Sequence, residues 1–384
     1  MALDDETLRD GLQSPSVVDP PIEAKKRILH LMDALGIDTA DVGLPGAGPR
    51  AVADVAALCR EIRDAKLAIR PNCAARTMIP DVEPVARIVQ EVGIPIETCV
   101  FIGSSPIRRY TEEWTLDRIL EFTEESVRFA VRENLPVMYV TEDTTRADPE
   151  TLRALYLAAI GEGAKRICVC DTVGHATPAG VRNLIGFVRG LVEESGEEVG
   201  IDWHGHRDRG MDLANTLAAI EAGATRVHGC GLGIGERAGN TPMELILVNL
   251  KLLGWIDRDL TRLNDYCRVV SESVGVPIPA NYPVVGRDAF ETGTGVHAAA
   301  VIKAFRRGDP WLADRVYSGV PAKDIGRRQV IRIGPMSGRS NVIFWLEERG
   351  IDPEEETVER IFQAAKRSDR LLRDDEIQAL VERP

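Results

Sequence analysis

The chain has 384 residues, enough for one large domain and a smaller one. Its 44% hydrophobic and 28% charged content are those of an ordinary soluble globular protein. A formal net charge of −13 argues against nucleic-acid binding, which needs a basic face, but a local arginine cluster could still hold a small anion.

No apolar run approaches the roughly 18 residues that would span a membrane. The acidic opening, Met-Ala-Leu-Asp-Asp-Glu, lacks the basic and apolar regions of a signal peptide. Seven irregularly spaced cysteines make no disulfide framework, and the expected compartment is the cytoplasm.

Strand and helix periods alternate from the start. A strand is expected over residues 2–7, then a helix over 23–35, a strand over 39–42, a helix over 49–64 and a strand over 67–71. Strands follow at 97–102, 136–141, 166–170, 199–204 and 226–229, separated by helices at 117–132, 149–161, 178–193 and 212–222, with a last helix at 242–253. Eight strand–helix units in about 250 residues suit a closed (β/α)8 TIM barrel. The rival, a doubly wound open sheet, lacks a Gly-x-Gly-x-x-Gly turn after the first strand. The barrel is expected over 1–256. A smaller helical C-terminal subdomain is expected over 257–384, with helices at 260–273, 295–306, 340–349 and 355–365 and no room for a regulatory domain.

In such a barrel the active site lies at the C-terminal ends of the strands. There the sequence places Arg9, Asp10 and Gln13 after strand one, and Glu142 and Asp143 after strand five. Asp171 and Thr172 follow strand six, and His204-Gly-His206-Arg207-Asp208 ends strand seven. Residues i and i+2 of a strand face the same side, so His204 and His206 reach one cation together. Two imidazoles and the Asp10 carboxylate leave open positions on a divalent ion, and Asn240 could add a carbonyl oxygen. The blander reading of His-x-His is a solvated pair, but this pair sits at a strand end beside Asp10.

Arg9 reads either as a partner of surface carboxylates or as a fixed cation for an oxygen developing negative charge. Neighbouring strand residues face opposite ways, so Arg9 and Asp10 both reach the site only if the chain turns, which Gly11 permits. Cys168 and Cys170 alternate along strand six and read as small buried hydrophobes rather than a redox or metal pair. The Gly-rich stretch 231–239 lacks the Gly-Lys-Ser/Thr end of a Walker loop. It reads as a flexible loop or as a close backbone approach to substrate, with Glu236 and Arg237 at its rim.

Five ordered segments carry a resemblance: TLRDGLQSP, FIGSSPIRRY, CDTVGHATP, HGHRDRG with LANTLAAIEAGA, and GIGERAGN. They resemble the 2-isopropylmalate, homocitrate and citramalate synthase family, which shares a metal-binding barrel with hydroxymethylglutaryl-CoA lyase. VVGRDAF, TGVH and IGPMSGRSNV look like the C-terminal subdomain of the synthases. The resemblance implies a divalent ion (Mg2+, Mn2+ or Zn2+) on Asp10, His204 and His206 with Asn240 beside it. It also implies Claisen-type condensation of acetyl-CoA with a 2-oxo acid. Arg9 would stabilise the alkoxide, Thr172 would hold the substrate carboxylate, and Glu142 would lie near the bound substrates. His297, from the partner subunit of a homodimer, would be the base, with Tyr317 as its helper.

Several positions depart from the family pattern. Leu12 stands where the synthases carry Glu, so RDGLQ is the lyase form, and Arg207 adds a cation that points to an anionic substrate. The lyases carry a catalytic cysteine in the loop after strand eight, but here Cys230 comes too early and Gly233-Ile-Gly-Glu236-Arg237 fills that stretch. The synthase form is favoured over carbon–carbon cleavage, and the complete metal set argues against a non-catalytic barrel. SSPI at 104–107 leans towards isopropylmalate synthases. Arg76 and Arg108 could bind a dicarboxylic 2-oxo acid, CoA phosphates or surface carboxylates.

Overall fold

In a computed structural model, described over residues 1–382, the chain forms two compact units. One comprises Met1–Arg258 with Asp265–Pro277, the other Asp259–Asn264 with Ile278–Pro384.

The first unit is a closed barrel of eight parallel strands, with β8 pairing back onto β1. The strands are β1 (Ala2–Asp5), β2 (Thr39–Asp41), β3 (Arg70–Arg76), β4 (Glu97–Gly103), β5 (Val137–Glu142), β6 (Arg166–Asp171), β7 (Gly200–Gly205) and β8 (Arg226–Gly229). Apolar alternation along strands and helices closes the core between sheet and helix ring, with Val100, Ile167, Trp203 and Val227 fully buried. Helices such as Pro49–Asp64, Pro149–Gly161 and Pro178–Ser195 begin with proline, whose missing N–H costs nothing in a first turn.

The third strand runs later than its apolar residues suggest. The run ending at Ile69 looked like the strand and Arg70-Pro71 like its end. Instead Arg70 N–H and Asn72 C=O bond towards β2, so the missing N–H of Pro71 faces the β4 side, where pairing begins only at Asn72. Small residues Cys73, Ala74 and Ala75 then complete the strand.

A second difference concerns the helix Leu263–Val274, expected among the C-terminal helices but clustered mostly with the barrel. The buried Tyr266 hydroxyl explains it, donating to Asp5 Oδ2 at 2.5 Å and lying 3.1 Å from Thr7 Oγ1.

The second unit carries helices Gly295–Arg306, Arg339–Glu347, Glu355–Arg367 and Asp374–Val381, and a short parallel pair, Glu291–Thr292 with Val330–Ile331. Its core gathers Ile333, Val342, Trp345, Leu346, Val358 and Ile361. Among the described residues no helix is long and apolar enough to cross a membrane.

Candidate active site

A cavity of about 270 Å³ opens at the C-terminal ends of the barrel strands. Its wall includes Arg9, Asp10, Gln13, Arg108, Glu142, Thr172, His204, His206 and Glu236, nine of the residues singled out from sequence. Ala74, Cys99, Phe101, Met138, Val140, Cys168 and Cys170 form its apolar part.

β1 stops at Asp5, and residues 7–10 turn before a short 3-10 helix, Gly11–Gln13. The turn brings Arg9 and Asp10 to the same cavity. Gly11 serves close packing rather than an unusual backbone conformation. Its φ is not positive; instead, a Cβ there would meet Ile234 Cγ1 at 3.0 Å. Alternation along β7 and its extension sends His204 and His206 inward. Their Nε2 atoms lie 3.5 and 3.6 Å from Asp10 Oδ2. Burial, reinforced by neighbouring His204, pushes His206 down to about 4, so its imidazole is neutral at physiological pH and offers a lone pair.

The loop after β8 folds back to form a bridge between Asn240 and His206. Asn240 Nδ2 donates to Cys230 Sγ at 3.3 Å and to Ile234 O at 3.2 Å, which fixes the amide. Gly235, at φ +151°, must be glycine, because a Cβ would collide with Asn240 Nδ2.

Buried polar atoms are almost always paired, yet among the described residues Asp10 Oδ2, His206 Nδ1 and Asn240 Oδ1 have no hydrogen-bond partner. Asp10, His204 and His206 each place a ligand atom within 4.8 Å of the others. Unsatisfied oxygens beside imidazole nitrogens are the donor set that a divalent ion takes. The residues fit a metal.

Three carboxylates hold Arg9: its Nε is 2.6 Å from Asp41 Oδ2, and its Nη atoms are 3.2 Å from Glu6 Oε1 and 3.4 Å from Asp10 Oδ1. Burial opposes its charge, but these neighbours outweigh that and keep it firmly protonated. Burial pushes Asp41 up to about 7, against the pull of Arg9. Thr172 Oγ1 accepts from the Asp143 N–H at 2.8 Å, which leaves its own hydrogen free to donate. Burial likewise raises Glu142, opposed by Arg108 with its Nε 3.9 Å from Glu142 Oε2. Arg108 Nη1 also pairs with Glu112 at 2.5 Å.

Other expected residues fall elsewhere. Arg76 is not on this wall; it makes two bonds to Asp81, at 2.7 and 2.9 Å. Arg207 is absent too, because the alternation that turns His206 in turns Arg207 away; Arg237 is the loop cation on the wall. Arg237 is held by Asp208 at 2.8 Å. His297 and Tyr317 belong to the second unit, exposed and stacked with ring centroids 4.2 Å apart. Cys230 is fully buried.

Three ionisable wall residues escaped the sequence reading: Glu6, Asp41 and His228. Their signal is a charged or polar residue within or directly after a short strand, on its inward face.

The fold and site define a barrel enzyme with a divalent-metal centre as its candidate active site. The chain belongs to the HMGL-like family, whose model matches residues 1–270. Homocitrate synthase AksA of Methanopyrus kandleri is 35% identical over 94% of this chain and 86% of its own length. The 2-isopropylmalate synthase of Halothermothrix orenii is 32% identical, covering 93% of this chain and 68% of its own. In fold the chain is similar to the HMG-CoA lyase of Bacillus subtilis, at 21% identity and a TM-score of 0.60, over 73% of this chain and 95% of the lyase.

Proposed function

We propose that this chain condenses acetyl-CoA with a 2-oxo acid, in the manner of 2-isopropylmalate synthase, to give a 2-alkylmalate-type hydroxy acid and free CoA. The observation that carries the reading is the convergence of Arg9, Asp10, His204 and His206 on one cavity, with unpaired buried oxygens between them, in a chain whose relatives are synthases.

Asp10, His204 and His206 would hold the ion, with Asn240 Oδ1 as a further donor. A divalent ion there supplies Lewis-acid polarisation of the substrate ketone. Arg9, locked by Asp41 and Glu6, presents a fixed positive charge where the ketone oxygen becomes an alkoxide, and it needs no reorganisation to do so. The free Thr172 hydroxyl hydrogen donates to the substrate carboxylate. Glu142, Gln13, Arg108 and Glu236 border the space left for the acyl-CoA and the 2-oxo acid side chain. A base must take the proton of the acetyl methyl. The cavity wall contains neither His297 nor Tyr317. Their exposed stack suits delivery from the partner in a homodimer.

The apolar wall of Ala74, Met138 and Val140 favours a branched apolar acid such as 2-oxoisovalerate over 2-oxoglutarate. Cleavage of a hydroxyacyl-CoA is the rival reaction, but its cysteine has no counterpart on the wall beyond buried strand residues. The test follows free-thiol release from acetyl-CoA against 2-oxoisovalerate, pyruvate, 2-oxoglutarate, oxaloacetate and glyoxylate. Release with one acid, 2-oxoisovalerate foremost, is expected. Acetyl-CoA formed from a hydroxyacyl-CoA, with no condensation, would replace this reading with the lyase one.

A further inference from the structure

The two metal-site histidines are supported differently. His206 Nδ1 is buried without a partner, whereas His204 Nδ1 lies 2.7 Å from Glu6 Oε2. Glu6 is itself buried and spans two imidazoles, its other oxygen lying 3.1 Å from His228 Nδ1. His228 is fixed from below, with Nε2 2.9 Å from Asp202 Oδ2. Asp202 in turn is bound by Arg226 Nε at 2.5 Å and Arg166 Nε at 2.7 Å.

Glu6 meets three groups on its two oxygens: Arg9 Nη2 at 3.2 Å and His228 Nδ1 at 3.1 Å on Oε1, and His204 Nδ1 on Oε2. Arg9 has only N–H groups to offer, so Glu6 accepts from it on Oε1. Its other oxygen accepts in the same way from His204, which puts the His204 proton on Nδ1. The lone pair is then on Nε2, which faces Asp10.

We infer that Glu6 is the positioning residue of the metal centre: it fixes the tautomer and ring orientation of His204, and His228 and Asp202 hold it in place. The inference rests on the metal reading above. Glu6, His204 and His228 also lie close enough together to be a second metal group. Both nitrogens of His228 are committed to carboxylates, which makes the trio a support for the first site. Such outer carboxylates are worth about 10- to 100-fold in metal affinity.

The test titrates Mn2+ and Zn2+ into metal-free full-length protein and reads the His204 tautomer by 15N NMR. Wild type is expected to bind one ion per chain, with His204 protonated on Nδ1 before metal is added. E6Q is expected to stay folded, bind the ion about 10- to 100-fold more weakly and show a mixed tautomer. A destabilised fold alone would leave the tautomer of the folded fraction unmoved. If E6Q does not fold, E6Q/H228Q removes the second imidazole together with the carboxylate it contacts, and the same losses are expected. Unchanged affinity in the folded variant, or Nε2 protonation of His204 in wild type, overturns the inference. Two ions in wild type with one lost in E6Q overturns it as well, by making Glu6 a ligand. A wild type that binds neither ion overturns the metal reading itself, a result distinct from the others.

Discussion

At the N-terminal ends of the strands, buried Arg226 reaches Asp202 and Glu97 with contacts of 2.5 Å each, and Arg166 adds a further bond to Asp202. At the C-terminal ends, a few residues along the same strands, Asp10, His206 and Asn240 keep buried polar atoms with no partner. Both layers bury charge inside one barrel. The Arg226 cluster pairs its charges internally, as a buried charge must be paired to be tolerable. The upper layer leaves its donors open at a cost that a bound cation would offset. His228 joins the layers, with Asp202 on one nitrogen and Glu6 on the other.

Exchanging these roles by mutation should produce separable defects. Replacing both His204 and His206 by alanine is expected to lower thiol release about 1,000-fold or more, since Lewis-acid stabilisation supplies several kcal/mol and each 1.36 kcal/mol is a factor of ten. Thermal stability in the absence of metal should fall less than in the lower-layer variant below, because His206 Nδ1 has no partner to lose and Glu6 keeps Arg9 and His228 when His204 is removed. Arg226→Met in the lower layer is expected to do the reverse. It should cost about 3–5 kcal/mol in urea unfolding by stranding Glu97 and leaving Asp202 with Arg166 and His228 alone, while the folded fraction keeps its metal stoichiometry. If Arg226→Met removed activity without loss of stability, the division between layers would fail.

Arg9→Lys keeps the charge but loses the fork that reaches Asp41, Glu6 and Asp10. An expected fall of about 100-fold in kcat, with metal binding retained, would assign Arg9 to the alkoxide. Thr172→Val removes one neutral donor and is expected to raise KM for the 2-oxo acid about five- to tenfold, or about 1 kcal/mol; equal loss with every acid of the panel would fit a contact to the shared carboxylate.

Asp5 gives the smallest effect. Burial raises its carboxyl to about 7, against hydrogen bonds from Thr7 and Tyr266. A folded-state value above the unfolded 3.8 means the neutral form stabilises the fold at low pH, and this contribution fades as pH rises from 3.8 through 7. Wild-type Tm should therefore fall by a few degrees more than that of Asp5→Asn between pH 5 and pH 8.

The barrel was legible because strand and helix periods alternate eight times, and β3 was displaced only because Pro71 looks like a terminator when its ladder partner is unknown. His204 and His206 were legible from strand parity. That same parity takes Arg207 off the wall, a consequence overlooked when its charge was read alone. Arg76 had a partner five residues on, Asp81, that the sequence offers but does not weigh against an anionic ligand. Glu6, Asp41 and His228 were missed because each matters through neighbours brought from other strands, and only barrel closure brings β1 beside β8. The stack of His297 on Tyr317 joins residues 20 apart in a unit without a regular period, so resemblance alone suggested the pair.

The central claim is that the open donors at the barrel mouth hold a divalent ion. A crystal of the full chain grown with Zn2+, measured for anomalous scattering at the zinc edge, tests it most directly. The account predicts one peak about 2.0–2.2 Å from Asp10 Oδ2, His204 Nε2 and His206 Nε2. No peak there, or a peak between Glu6 and His228 instead, would contradict it.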